Sequence, residues 1–227
     1  RLNDGRRDGF GRAVLANRDQ YEGEYRHGVR NGKGCYTFKS CARYNGEWKK
    51  GLKHGHGEFN YPDGSSYCGA WKRNAKNGCG KYIYQNGDTY EGDWKENVKH
   101  GIGIYTYHES GISFKGTWID GHLKGPVQIN YPGYQYHGYW NNSMPLGRGA
   151  FTFEMKYMLP GHIENFENPD YVKALDDAAA NDGIVELKPS DEIKSSNLST
   201  ALKCISRFIA HTITSYDYSQ LPQHPIH

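Results

Sequence analysis

Aromatic and polar residues alternate along this chain in short runs. From Tyr44 the order is Tyr, Asn, Gly, Glu, Trp, so Tyr44, Gly46 and Trp48 share one side while Asn45 and Glu47 share the other. A period of two marks a half-buried β-strand, one face packed and the other wet. The basic, glycine-containing stretch "KKGLKH" follows, and then a second alternation: Gly55, Gly57, Phe59 and Tyr61 against His56, Glu58 and Asn60. Two such runs joined by a short turn predict an antiparallel hairpin. With the turn centred near Gly51 and Leu52, Gly46 is expected opposite Gly57 and Trp48 opposite Gly55, so that the large ring covers positions without side chains.

The unit repeats. "YNGEWKKGLKHGHGEFNYPDG" from Tyr44 is followed by "YCGAWKRNAKNGCGKYIYQNG" from Tyr67 and "YEGDWKENVKHGIGIYTYHESG" from Tyr90, with related segments from Tyr21, Phe114 and Tyr136. These starting aromatics stand 22 to 24 residues apart, a period that belongs to stacked structural units rather than to a single catalytic site. The expected fold is mainly β: an elongated single-layer antiparallel sheet of serial β-hairpins, of about fourteen strands with the half units at each end, followed by a short α-helical C-terminal segment. Residues 1–20 read as a partial repeat, 21–164 as six units plus the terminal half unit "LPGHIENF", and 165–227 as a helical tail. Trp48, Trp71, Trp94, Trp118 and Trp140 each stand four residues after a starting aromatic, with Tyr25 in the first unit. Each such ring can bury roughly 150 to 250 Å², so this stripe is expected to hold the sheet.

Composition sharpens the picture. The 227 residues include 19 Tyr and 29 Gly, so rings must pack on glycine backbone rather than in an aliphatic core. No run approaches the roughly eighteen apolar residues of a membrane-spanning helix. Cys35, Cys41, Cys68, Cys79 and Cys204 form no CxxC pair and read as reduced thiols of a cytosolic protein. His54 and His56 flank Gly55 and so face opposite ways. Their counterparts in other units are Asn31, Asn77 and His100, and Lys33, Cys79 and Ile102, which argues against a metal site. A phosphate loop is excluded because the glycines are followed by no GK[ST] and open no helix. No Ser/His/Asp set or carboxylate pair stands apart from the repeat, so no catalytic residue, cofactor or metal is expected and the chain reads as a non-enzyme.

Charge is periodic too. Arg26, Lys49, Lys50, Lys53, Lys72, Arg73, Lys76, Lys95 and Lys99 recur at matching offsets around the turns and are expected to line one basic edge. That edge is a candidate surface for acidic proteins or anionic lipid headgroups, or a set of solvated turns. Glu22, Glu24, Glu47, Glu91 and Asp93 fall on the wet face. A net charge of only +3, with the rings committed to packing, argues against nucleic acid. From Asn168 onward glycine nearly vanishes and acidic residues outnumber basic ones eight to five. Asn168, Pro169 and Gly183 are placed to cap, open and stop one helix. A second is expected over 198–213, with Leu198, Leu202, Ile205 and Ile209 on one stripe as a candidate docking helix.

The unit "YEGEW..G..HG.G" resembles the MORN (membrane occupation and recognition nexus) repeat. The irregular stretches "GTWIDGHLKGPVQI", "NNSMPLGRGAFTFE" and "PGHIE" are similar to the MORN-bearing family of radial spoke head subunits of cilia and flagella, a likeness that covers about residues 5–164. It implies a non-enzymatic subunit of a multi-protein complex in the axonemal cytoskeleton. Its partners would be other radial spoke head subunits and the central-pair apparatus, and the complex would relay signals to the dyneins. The resemblance does not extend to residues 165–227, where the family's long acidic tail is replaced by the two expected helices. The rival reading is a peripheral membrane tether in which the basic edge engages phosphoinositides. Against it, the second helix carries Ser199, Ser206 and Thr212 beside Lys203 and Arg207, unlike the lysine-rich face of a membrane anchor.

Overall fold

Each regular hairpin closes on two residues in the left-handed region. Lys50 and Gly51 have φ of 51° and 81°, Arg73 and Asn74 of 51° and 73°, Glu96 and Asn97 of 49° and 71°. Positive φ at both central positions gives a turn whose twist matches that of the strands it joins, so two residues reverse the chain. The turn therefore lies one residue earlier than the sequence suggests, at Lys50 and Gly51.

The computed structural model describes residues 5–153, 157–167, 204–210 and 214–215. The strands are β1 (Gly9–Val14), β2 (Gln20–Arg26), β3 (Val29–Thr37), β4 (Arg43–Lys49), β5 (Leu52–Asn60), β6 (Ser66–Lys72), β7 (Ala75–Ile83) and β8 (Thr89–Lys95). They continue with β9 (Val98–Thr106), β10 (Ser113–Ile119), β11 (His122–Tyr131), β12 (Tyr134–Asn141), β13 (Met144–Phe153), β14 (Tyr157–Glu167), β15 (Cys204–Ala210) and β16 (Thr214–Ser215). The first fourteen lie side by side in sequence order as one open antiparallel sheet, and β15 and β16 both pair with β14. Turns between units are tied by side chains: Asp63 Oδ1 accepts from the Ser65 N–H and hydroxyl at 2.9 and 2.7 Å.

The register holds one expectation and corrects another. Gly46 does face Gly57, but Trp48 faces Lys53 within its own hairpin, and it is Gly32 of the preceding unit that stands opposite the tryptophan. The cause is a bulge. Between those two pairs a single residue of β4, Glu47, stands against three of β5, with Gly55 at φ 60°. The Glu47 carboxylate accepts the His56 N–H at 3.0 Å and occupies the space a Cβ on Gly55 would need. Glu24 and Asp93 serve the bulges at Gly32 and Gly101 in the same way, accepting from the Lys33 and Ile102 N–H groups. These acids, expected merely to face water, hold the backbone.

Glycines pair straight across the sheet. Gly11, Gly23, Gly34, Gly46, Gly57, Gly69, Gly80, Gly92, Gly103 and Gly116 form one row, which Val127 interrupts before Gly138, Gly149 and Gly161. The starting tyrosines lie over it. A Cβ on Gly57 would collide with the Tyr44 ring, and the Tyr44 hydroxyl donates to Glu47 O at 2.9 Å. Tyrosine, not tryptophan, thus covers the empty positions. The tryptophans bridge units: Trp71 Nε1 donates to Gly57 O at 2.9 Å, and its ring meets Tyr67 and Tyr44 edge-on at 5.1 and 5.4 Å.

The C-terminal expectation needs correction where the structure reaches it. Ile205 and Ile209 lie on β15, not on a helix, in register with Phe166 and His162 of β14. The unpaired backbone edge of β14 provides a ladder that an isolated helical stripe does not, and edge pairing overrides local periodicity. Leu198, Leu202 and the helix opening at Asn168 lie outside the described residues.

Candidate functional site

The tryptophan stripe sits on one face of the sheet. Trp48, Trp71, Trp94, Trp118 and Trp140 are all buried, between 4% and 6% exposed. Because the bulge sets Lys53 opposite Trp48, the lysine side chain rises on this same aromatic face and reaches the next unit. Its Nζ stands 4.4 Å from the centre of the Trp71 ring and 4.4 Å from that of Phe59. Lys76 lies 4.3 Å over Trp94, Lys99 4.1 Å over Trp118, and the Arg30 guanidinium 4.5 Å over Trp48. Each cation of one unit therefore rests on the tryptophan of the next, at the distance where the ring's negative face attracts it.

Backbone hydrogen bonds fix these four positions. The Lys53 N–H donates to Asn74 Oδ1 at 2.8 Å and the Asn74 N–H donates to Lys53 O at 3.0 Å, so the next turn clamps the lysine from both sides. Asn97 clamps Lys76 likewise, while the Gly121 and Gly51 N–H groups donate to Lys99 O and Arg30 O. Arg30 Nη2 also donates to Gly51 O at 3.1 Å.

Burial among rings pushes the amines of Lys53, Lys76 and Lys99 down from 10.5 to about 8. Desolvation penalises the ammonium while the ring faces favour it, and the two act against each other. Burial likewise raises the tyrosines beneath, Tyr21 to about 12 and Tyr44, Tyr67 and Tyr90 further. None of the four cations forms an ion pair among the described residues. Two open grooves of about 310 and 330 Å³ lie on this face beside Arg30, the second bounded by Phe38, Trp48, Leu52 and Lys53.

The expected basic edge is thus split in two. Arg26, Lys49, Lys50, Lys72, Arg73 and Lys95 are exposed around the turns, whereas Lys53, Lys76 and Lys99 are drawn onto the rings. One signal distinguishes the second set: Arg30, Lys53, Lys76 and Lys99 each stand nine residues after a starting aromatic. At that offset the last two units carry Leu123 and Pro145, which face Trp118 and Trp140. His54 is half-buried and His56 exposed. Among the described residues no three His, Cys, Asp or Glu side chains gather where they could hold a metal ion.

The repeat pattern of the family described as MORN repeat matches residues 21–40, 44–66, 67–89, 90–111 and 136–155. The chain is a MORN-repeat protein. Its matched MORN units are those in which a tyrosine lies over a glycine pair, and the unmatched stretch is the hairpin β10–β11 with Val127. No curated protein matches the chain. Among solved structures, it is similar to the TCP10 domain of CPAP from Danio rerio, determined in complex with a peptide of STIL. The identity is 12% and the TM-score 0.41, over 64% of this chain and 63% of that one. It is also similar to the TCP domain of SAS-4 (dCPAP) from Drosophila melanogaster, in complex with a proline-rich motif of Ana2 (dSTIL). There the identity is 10% and the TM-score 0.41, over 68% and 81% of the two chains. Likenesses this distant carry no argument about function.

Proposed function

We propose that this MORN-repeat protein is a non-enzymatic scaffold that holds other proteins in fixed register, and that its place is the radial spoke head of the ciliary or flagellar axoneme. The observation that carries the scaffold reading is the recurrence of one surface. A cation, arginine once and lysine three times, returns over the next unit's tryptophan with every regular unit along an unbroken hydrogen-bonded sheet. A surface of that kind suits partners that must be spaced rather than substrates that must be converted. The axonemal assignment is supported by the resemblance of the irregular stretches around Pro126, Pro145 and Gly161 to radial spoke head subunits. Its partners are then the other head subunits and the central-pair apparatus.

The test is cross-linking mass spectrometry on motile, flagellated cells carrying a tagged copy. Links from the exposed turn lysines to spoke-head subunits, kept after the membrane is removed, are the expected result. A tag that leaves with the membrane, with links only to membrane proteins, would refute the axonemal scaffold and favour a lipid-bound tether.

A further inference from the structure

The cation ladder has a spacing that limits what can lie on it. Arg30, Lys53, Lys76 and Lys99 belong to β3, β5, β7 and β9, so successive rungs are two strands apart, roughly 9.6 Å at about 4.8 Å per strand. Inner strands have both backbone edges already paired. A segment crossing them on the ring face finds no backbone partner there, and an α-helix, which satisfies its own backbone groups, needs none. Two helical turns, about seven residues, advance about 10.5 Å, nearly one rung. An extended strand presents the same side only every 6.6 Å or so and falls out of step at once.

We propose that the aromatic face receives an amphipathic, acidic α-helix from a partner protein, its apolar stripe on the half-buried rings Phe38, Tyr61, Tyr82 and Tyr105 and one carboxylate every seventh residue against Arg30, Lys53, Lys76 and Lys99. The inference rests on the scaffold reading and names the chemistry of the partner. Charge complementarity carries it: four half-buried cations at one spacing, none ion-paired among the described residues, stand over buried tryptophans beside half-buried rings such as Tyr82 and Tyr105. The opposite face offers no such row, since charges of both signs mix there and Lys81 already pairs with Glu91 at 3.4 Å. The groove of about 330 Å³ between Arg30 and Lys53 leaves room for a leucine-sized side chain between those rungs, and that of about 310 Å³ continues the face before Arg30. The acidic register ends at Lys99, because Leu123 and Pro145 hold the next two places. Four rungs with three spacings of seven residues between them call for a helix of about 22 residues.

The test uses the intact chain and three synthetic helical peptides of about 26 residues. One carries a leucine stripe with Glu at every seventh position beside it, one has the same residues with the Glu set moved to the opposite face, and one has Lys in place of Glu. Binding is read by tryptophan emission and calorimetry. The first peptide is expected to bind about tenfold or more tighter than either control, with affinity falling as salt rises. The triple variant Lys53→Gln, Lys76→Gln, Lys99→Gln should lose that preference, while Lys49→Gln, Lys72→Gln, Lys95→Gln keeps it. Equal binding of all three peptides, no binding of the first, or loss only in the exposed-lysine variant would overturn the proposal. The peptide comparison on the unaltered protein stands even if the first triple variant does not fold. Should the axonemal cross-links persist in any of those cases, the helix is rejected and the scaffold reading survives; losing the cross-links removes the scaffold as well.

Discussion

The hairpins β4–β5 and β10–β11 have the same connection and neighbours but are packed by different means. In the first, the Tyr44 ring lies over Gly46 and Gly57, its hydroxyl bonds Glu47 O, and Lys53 reaches forward to Trp71. In the second the tyrosine is Phe114, the glycine is Val127 at 0% exposure, and the lysine is Leu123, also buried. A Cβ on Gly116 would meet Val127 and Leu123 rather than a ring. Three changes go together: the valine and the leucine crowd the space above Gly116 that a ring fills elsewhere, and the leucine stands opposite Trp118 as Lys53 stands opposite Trp48. The lesson is that the repeat conserves the volume over the glycine row. Its chemistry differs between the cationic units and the apolar ones, so any partner reads the two halves differently.

The contrast can be broken from either side. Trp94→Ala removes a ring that meets Tyr67, Tyr90 and Lys76, and urea unfolding should show a loss of about 3 to 5 kcal/mol. Trp140→Ala, with no cation above its ring among the described residues, should lose about 0.5 to 1 kcal/mol less. Next, Gly57→Val drives a branched side chain into Tyr44 and should cost about 2 to 3 kcal/mol. Val127→Ala instead opens a cavity, for about 1 to 2 kcal/mol. Equal tolerance of valine at both positions would mean that the ring-over-glycine packing does not matter.

A smaller effect is expected from pH. Lys53, Lys76 and Lys99 are held near 8 in the folded chain against 10.5 unfolded. The unfolded chain therefore binds more protons between those values, and stability should rise with pH across that window. Above about 10 the order reverses: unfolded tyrosines lose protons that Tyr21, Tyr61 and Tyr136, raised by burial to about 12, retain. Stability should then fall, giving a maximum near pH 10. Melting temperatures that stay flat from pH 7 to 10 would show that the amines are not buried as described. The smallest effect belongs to Lys49→Ala, an exposed turn position, which should stay within about 0.5 kcal/mol of the parent.

Much of this was legible in the sequence, for a physical reason. Alternation at period two and recurrence near 23 residues are imposed by the pleat and the hairpin, so the strands and the Gly46–Gly57 pairing follow from them. The bulge was not legible. Gly55 reads equally as a packing gap or as a residue with φ near 60°, and Glu47 reads as an ordinary solvent-facing acid until the His56 N–H is found on it. That offset of two residues moved Lys53 from the wet edge to the rings, which is why one basic edge became two sets of cations. At the C-terminus a 3.6-residue apolar stripe was outweighed, over 204–210, by the pairing edge of β14. No local pattern records such an edge.

The central claim is that a cation of one unit is bound by the tryptophan of the next. A double-mutant cycle on Lys76 and Trp94, using Lys76→Gln, Trp94→Phe and the pair, measures it most directly by urea unfolding. The account predicts a coupling of about 0.5 to 2 kcal/mol in favour of the native pair. Additivity within about 0.3 kcal/mol would contradict it and return Lys76 to the solvated turn edge.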